Sequence, residues 1–276
     1  MDQNWIVENL NNAFSTWNDK LGELWSLVTT SPATFKGGAV WGAMQTIHGT
    51  MLAIGYALVI LFFAMSLCKN TANFHELKRP EAALHYLIRF VAAKAAVGYG
   101  MDIMLKVFEV CNGIVSEMAS SMGGISQAMV SLPGEVQTAI ENVGFLASIP
   151  LWLVTILGSL FITVLSFIMI LTVYGRFFRL YMYTALAPIP LATFAGDSTQ
   201  SVGIAFLKTY VGVCMEGAVI VLACIIYAGF VGTPAVASGE ATTMVWSYLA
   251  ETVFNMLVLV GLIKGSDRII HEMMGL

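Results

Sequence analysis

The sequence predicts an all-α, polytopic membrane protein: five transmembrane helices, an N-terminal amphipathic helix, and a proline-broken re-entrant or in-plane segment. Three observations predict it. Of the 276 residues, 58% are hydrophobic and only 11% charged, where a soluble domain carries about 25% charge. Mean hydropathy is +0.79. No charge occurs from Gly37 to Cys68, from Asn142 to Gly175 or from Gly217 to Gly239, and a spanning helix needs roughly 20 apolar residues.

The N-terminal element comes first. Residues 4–28 place Leu10, Phe14, Trp17, Leu21, Leu24 or Trp25, and Val28 at steps of three and four, with Asn11, Asn18, Asp19 and Glu23 mostly off that stripe. This is an amphipathic helix, and Trp5, Trp17 and Trp25 suit a headgroup zone. It is expected to lie in the membrane interface or to pack on a neighbouring element. Residues 1–43 are assigned as an extracytoplasmic N-terminal region. The start MDQNWIVENLNNAF lacks a basic n-region and a compact apolar core, so no removable signal peptide is expected and the first span does the targeting.

Residues 44–264 form the predicted membrane domain. Its spans lie at about 44–67, 90–110, 148–173, 209–231 and 244–263, with an outer loop at 113–143 and a short link at 232–243. Residues 265–276 are the tail. Orientation follows from lysine and arginine, which cytoplasmic loops retain. If the basic loop at 68–89 is inside, then Lys69, Lys78, Arg79, Arg89, Arg176, Arg179, Lys208, Lys264 and Arg268 are all inside. Only Lys20 and Lys36 are outside, and Lys94 and Lys106 fall in or beside the second span. The N-terminus is then outside and the C-terminus inside.

The stretch RFFRLYMYTALAPIPLATFAGDS is the difficult one. Between Arg179 and Asp197 lie 17 uncharged residues, nearly a span. A crossing there would move Lys208, Lys264 and Arg268 outside. Residues 177–197 therefore read as a re-entrant or in-plane segment bent at Pro188 and Pro190, where proline removes N–H donors. Irregular backbone at membrane depth requires a covering of protein or water.

Catalytic and metal signatures are missing. The sequence has no GxxxxGK[ST], HExxH or GxSxG. AVGYGMD at 96–102 resembles a potassium-channel filter only loosely, because its threonine is missing and Lys94 precedes it. The same glycines near Asp102 do not meet the Gly-x-Gly-Asp spacing of intramembrane aspartyl proteases. His48, His75, His85 and His271 are scattered, and Cys68, Cys111, Cys214 and Cys224 show no ligand spacing. The chain reads as a non-enzyme with no cofactor or metal. A net charge of −4 offers no basic face for nucleic acid.

Ionisable groups within the spans remain: Lys94, Asp102 and Lys106 in the second, Glu216 in the fourth and Glu251 in the fifth. Each costs about 3 kcal/mol at mid-bilayer on insertion scales, so each is expected to face the bundle interior or a water-filled path. Steps of four put Lys94, Asp102 and Lys106 on one helix face. Three readings stay open: a static network such as Lys94 with Glu216, the lining of a hydrated conduit, or proton and ion coupling.

RFFRLYMYTALAPIPLATF, followed by IAFLKTYVGVCMEGAVIVLACIIYAGF, resembles the TrbL-type polytopic inner-membrane subunit of bacterial type IV secretion and conjugation systems. The likeness lies in a long apolar span, paired arginines, an aromatic stretch ending in Ala-Pro-Ile, a polar break, and a glycine-rich span entered through a lysine. The resemblance implies a homo-oligomeric channel or scaffold subunit in the bacterial cytoplasmic membrane. Its implied partners are secretion ATPases, other channel subunits, membrane lipids and single-stranded DNA or protein in transit. Arg176, Arg179 and Lys208 become candidate cytoplasmic-face contacts, with topology anchoring as the plainer role. The rival readings are a secondary transporter or a small ion channel built on Lys94, Asp102, Glu216 and Glu251. Five crossings without a visible repeat do not divide into the two halves a transporter needs.

Overall fold

The computed structural model describes residues 3–71, 80–121, 129–143, 145–230 and 241–275. Lys78 and Arg79 of the basic loop, residues 122–128 of the outer loop and most of the 232–243 link lie outside the described residues. The elements are α1 (Gln3–Thr29), a 3-10 turn (Phe35–Gly38), α2 (Ala39–Thr71), α3 (Pro80–Gly98), α4 (Gly100–Ser121), α5 (Gly134–Glu141), α6 (Phe145–Leu186), α7 (Pro188–Ala192), a second 3-10 turn (Thr193–Ala195), α8 (Gln200–Phe230) and α9 (Ala241–Met274). No strand occurs among the described residues. The chain forms two compact units, and α4, α6, α8 and α9 contribute to both.

The first unit gathers residues 1–29, 115–175 and 217–266. The apolar stripe of α1 is its centre: Leu10, Trp17, Leu21, Leu24 and Val28 are fully buried and Phe14 nearly so. Phe14 meets Tyr248 edge-on and Trp17 meets Tyr227, with ring centroids 6.3 Å apart in each pair. The Asn18 side chain pairs with the backbone of Val130 in both directions, at 2.8 and 2.9 Å. Of the two placements expected for α1, packing on its neighbours is the one observed.

The second unit gathers residues 30–114, 176–216 and 267–276. Its core joins Val59 of α2, Ala93 and Val97 of α3, Met104 and Phe108 of α4, Leu180 of α6, Leu191 of α7, and Tyr210 and Cys214 of α8. Here α6 and α8 run antiparallel: Arg176 reaches Val213 and Cys214, Tyr183 packs on Phe206 and Tyr210, and Thr193 approaches Gly203. Gly55 of α2 packs closely on α7: a Cβ there would lie 2.9 Å from Pro188 Cβ and 3.0 Å from its carbonyl oxygen.

The count of five spans is not confirmed among the described residues. Four described helices are long and apolar enough to cross a membrane, within Phe35–Lys69, Ile149–Leu186, Gln200–Gly229 and Thr242–Met274. The predicted second span at 90–110 is not among them: it divides at Tyr99 into α3 and α4 and carries four charges, Lys94, Asp102, Lys106 and Glu109. Packing is close here, since a Cβ at Gly98 would meet the Tyr56 hydroxyl at 2.9 Å and one at Gly100 would meet Leu191 at 3.1 Å, and helical bonds still run from the Tyr99 N–H to Ala95 and from the Ile103 N–H to Tyr99, each 2.9 Å. At 177–197, α6 runs unbroken through both arginines to Leu186, 42 residues in all. Helical dihedrals persist through Ala187 and Ala192, and the first extended residue is Gly196 (φ −109°, ψ 140°). The reversal therefore lies at 196–199, beyond the prolines. Proline fits the first turn of a helix, where its missing N–H costs least, and Pro188 begins α7.

Candidate functional site

The helical turn at 184–200 and the paired arginines before it form the most densely bonded polar region of the second unit. Pro188 has no N–H, so the carbonyl of Thr184, four residues earlier, loses its helical partner. His48 of α2 supplies the replacement: its Nδ1 lies 2.9 Å from that oxygen. A carbonyl only accepts, so Nδ1 carries the proton in this contact and, in the neutral ring, Nε2 is left as an acceptor. The ring is 4% exposed, and Nε2 has no hydrogen-bond partner among the described residues. His48 was read in the sequence only as a scattered histidine.

Arg89 of α3 holds the far end of the turn. Its Nε donates to the carbonyl of Phe194 (2.9 Å), and Nη2 to the carbonyl of Gly196 (3.1 Å) and to Gln200 Oε1 (2.8 Å). Its Nη1 pairs with Asp197. Asp197 also accepts from the Ser66 hydroxyl of α2, 3.0 Å away. A cation at unpaired C-terminal carbonyls complements the helix dipole, and the planar guanidinium satisfies several acceptors at once. In the sequence, Arg89 bears only on orientation, as one of the basic residues of the 68–89 loop.

The arginine pair is buried against α8. Arg176, 1% exposed, donates from Nε to the carbonyl of Val213 (3.3 Å) and from Nη2 to that of Cys214 (3.0 Å), with its guanidinium 5.9 Å from the Phe108 ring centroid. Arg179 Nη2 donates to both carboxylate oxygens of Glu216, at 2.8 and 2.7 Å, while its Nη1 pairs with Asp267 of α9. Glu216 is 1% exposed. Arg176 and Arg179 thus tie α6 to α8 and α9. Burying such charge is tolerated only with full pairing, which the carbonyls and carboxylates provide.

The other candidates do not join this cluster. Lys94, Asp102, Lys106, Lys208 and Glu251 are all exposed, whereas Glu216 is buried. Glu216 takes Arg179, not Lys94, as its partner, and Lys106 pairs with Glu109 of its own helix (2.7 Å). Pro188 is buried and Pro190 half-buried in the turn. Among the described residues no group of three potential ligands suited to a metal ion occurs.

A family model described as TrbL/VirB6 plasmid conjugal transfer like protein matches residues 17–188, more than half of the chain. The matched stretch contains His48, Arg89, both arginines of the pair and Pro188. No curated protein and no solved structure matches the chain.

Proposed function

The chain belongs to the TrbL/VirB6-like family of plasmid conjugal transfer proteins, and on that premise we propose that it is a channel and scaffold subunit of a conjugative type IV secretion apparatus. It works as a homo-oligomer in the bacterial cytoplasmic membrane, with its N-terminus outside and its C-terminus inside. It helps to move single-stranded DNA, protein or both, alongside secretion ATPases and other channel subunits.

One observation supports an assembled scaffold above the rest. From Ile149 to Leu186, α6 is 38 residues, about 57 Å at ~1.5 Å per residue, with Arg176 and Arg179 as its charges. The hydrocarbon core is about 30 Å thick, and even a tilt of about 40° leaves some 44 Å of helix along the bilayer normal. Yet large apolar side chains are exposed along the whole length, from Ile149 through Leu157, Phe161, Phe167 and Phe178 to Leu186. Lipid covers only part of that face, so the remainder calls for protein, as a second copy or a partner subunit provides. The transporter reading requires the span charges to converge on one site, whereas Lys94, Asp102 and Glu251 are exposed and Glu216 is occupied by Arg179.

Purification of the tagged protein from donor cells tests the proposal. The expected result is a stable homo-oligomer that co-purifies with a secretion ATPase. A monomer that brings down no other subunit contradicts it. Labelling in intact cells tests the orientation: a cysteine replacing Ser126 is expected to react with an impermeant reagent while one replacing Ser198 is protected.

A further inference from the structure

The four cysteines divide by their surroundings. Cys68 is exposed and Cys224 is buried in the first unit, whereas Cys111 of α4 and Cys214 of α8 are buried together in the core of the second. Two contacts set α4 against α8 there. The Tyr210 hydroxyl of α8 donates to the Met104 carbonyl of α4 (2.9 Å). Arg176 donates to the carbonyls of Val213 and Cys214 while its guanidinium carbon lies 5.9 Å from the Phe108 ring centroid. Steps of four and three put Met104, Phe108 and Cys111 on one face of α4, and a step of four puts Tyr210 and Cys214 on one face of α8. The two sulfurs therefore stand opposite each other, and the Cys214 S–H donates to Cys111 Sγ.

Such a pair can react as a unit. Cys111 keeps 6% of its surface accessible and Cys214 none, and Cys111 lies in α4, outside the four helices long and apolar enough to cross a membrane. The bond from Cys214, opposed by burial and helped by the nearby Arg176 charge, holds the Cys111 thiol below the usual thiol range. The thiolate is the nucleophile in thiol chemistry. Cys111 is therefore the attacking sulfur, and Cys214, the donor of the bond, is the resolving one. Packing alone would be met by any small apolar residue at either position; two thiols bonded to each other across two helices add a chemistry that packing does not need.

We propose that Cys111 and Cys214 are a peroxide-oxidisable dithiol that closes into a disulfide tying α4 to α8. The Cys111 sulfur attacks one oxygen of a hydroperoxide and the O–O bond breaks. The leaving oxygen takes the proton given up by the thiol and departs as water or an alcohol, and Cys111 is left as a sulfenic acid. The Cys214 sulfur then attacks the Cys111 sulfur, the S–O bond breaks, and hydroxide departs with the Cys214 proton as water. Two thiols are oxidised to one disulfide and the peroxide is reduced, with two electrons passing between them. The new bond closes a long loop, so the oxidised protein resists unfolding more than the reduced one.

Full-length protein carrying Cys68→Ser tests this in detergent micelles, where Cys111, Cys214 and Cys224 are the remaining thiols. After hydrogen peroxide, denaturation and labelling with a mass-tagged maleimide, one tag is expected in place of three, on Cys224, and dithiothreitol before labelling is expected to restore all three. The unlabelled mass falls by two hydrogens, and digestion yields a peptide pair joined through Cys111 and Cys214. That mapping needs no variant at either position, so it stands even where a serine disturbs the core. In Cys214→Ser the reaction is expected to stop at a Cys111 sulfenic acid that dimedone traps, whereas in Cys111→Ser the Cys214 thiol stays reduced. The oxidised protein is expected to unfold at a higher temperature, and reduction to reverse the shift. Three tags at a peroxide dose that oxidises Cys68 in the wild-type chain overturn the proposal. A joined peptide pair involving Cys224 overturns it too, as does the same loss of tags when the chain is denatured before peroxide is added.

Discussion

Substitution of Glu216 by glutamine is the sharpest probe of the arginine tie. Glu216 is 1% exposed, and each of its carboxylate oxygens accepts a bond from Arg179. Breaking a buried pair by removing one partner costs about 3–5 kcal/mol. Two features lower the figure here: the Arg179 side chain is 27% exposed and keeps Asp267 as a second partner, so about 2–3 kcal/mol is expected, or roughly a 30- to 150-fold change in the folding equilibrium. Asp267→Asn removes a 44% exposed carboxylate and is expected to cost no more than about 1 kcal/mol. Arg179→Met combined with Glu216→Leu leaves no buried charge and is expected to regain most of the stability. Reversible unfolding in mixed detergent micelles gives each value, and the double-mutant cycle gives a coupling of about 2 kcal/mol. Equal losses for Glu216→Gln and Asp267→Asn, or a double mutant as unstable as the sum of its singles, would refute a buried structural tie. Conjugal transfer by the double mutant, at wild-type protein levels, is expected to persist; its abolition would show that these charges act in transport.

The remaining predictions concern the turn. His48→Phe leaves the Thr184 carbonyl unpaired and is expected to cost about 1–3 kcal/mol, whereas in Pro188→Ala, which restores a backbone N–H, the same change is expected to cost less than half as much; equal costs in the two backgrounds would mean that His48 does not substitute for the lost helix bond. Arg89→Gln is expected to open the 194–200 turn, seen as new proteolytic cleavage there in detergent-solubilised protein, and Arg89→Lys to rescue it only partly because an ammonium lacks the planar fork. Gly55→Val sets a side chain against the Pro188 backbone and is expected to lower stability by about 1–3 kcal/mol, measured by unfolding in detergent, whereas Gly175→Ala, whose Cβ meets nothing within 4 Å, is not.

Helical class, the apolar stretches and the buried stripe of α1 were legible because each is periodic or compositional, and burial follows from pattern alone. The neighbours of a charge were not. Nothing local tells Glu216 to choose Arg179 over Lys94, since the choice depends on how α6 and α8 pack. The end of α6 was misplaced because charge counting treats an arginine as a boundary marker, whereas Arg176 and Arg179 find enough acceptors on α8 to remain inside a continuous helix. The prolines had a readable signal that went unused: a proline in a helical run frees the carbonyl four residues back, and a buried histidine on another helix is a candidate to bind it. The division at Tyr99 was hidden because Gly98 and Gly100 serve contacts with Tyr56 and Leu191, residues far away in the chain.

The central claim is that this chain is an essential membrane subunit of the conjugal transfer apparatus. In-frame deletion of its gene from the conjugative element, followed by counting transconjugants, tests that claim most directly. Transfer is expected to fall to the detection floor and to return when the full-length chain is supplied in trans. Undiminished transfer from the deleted element would contradict the account.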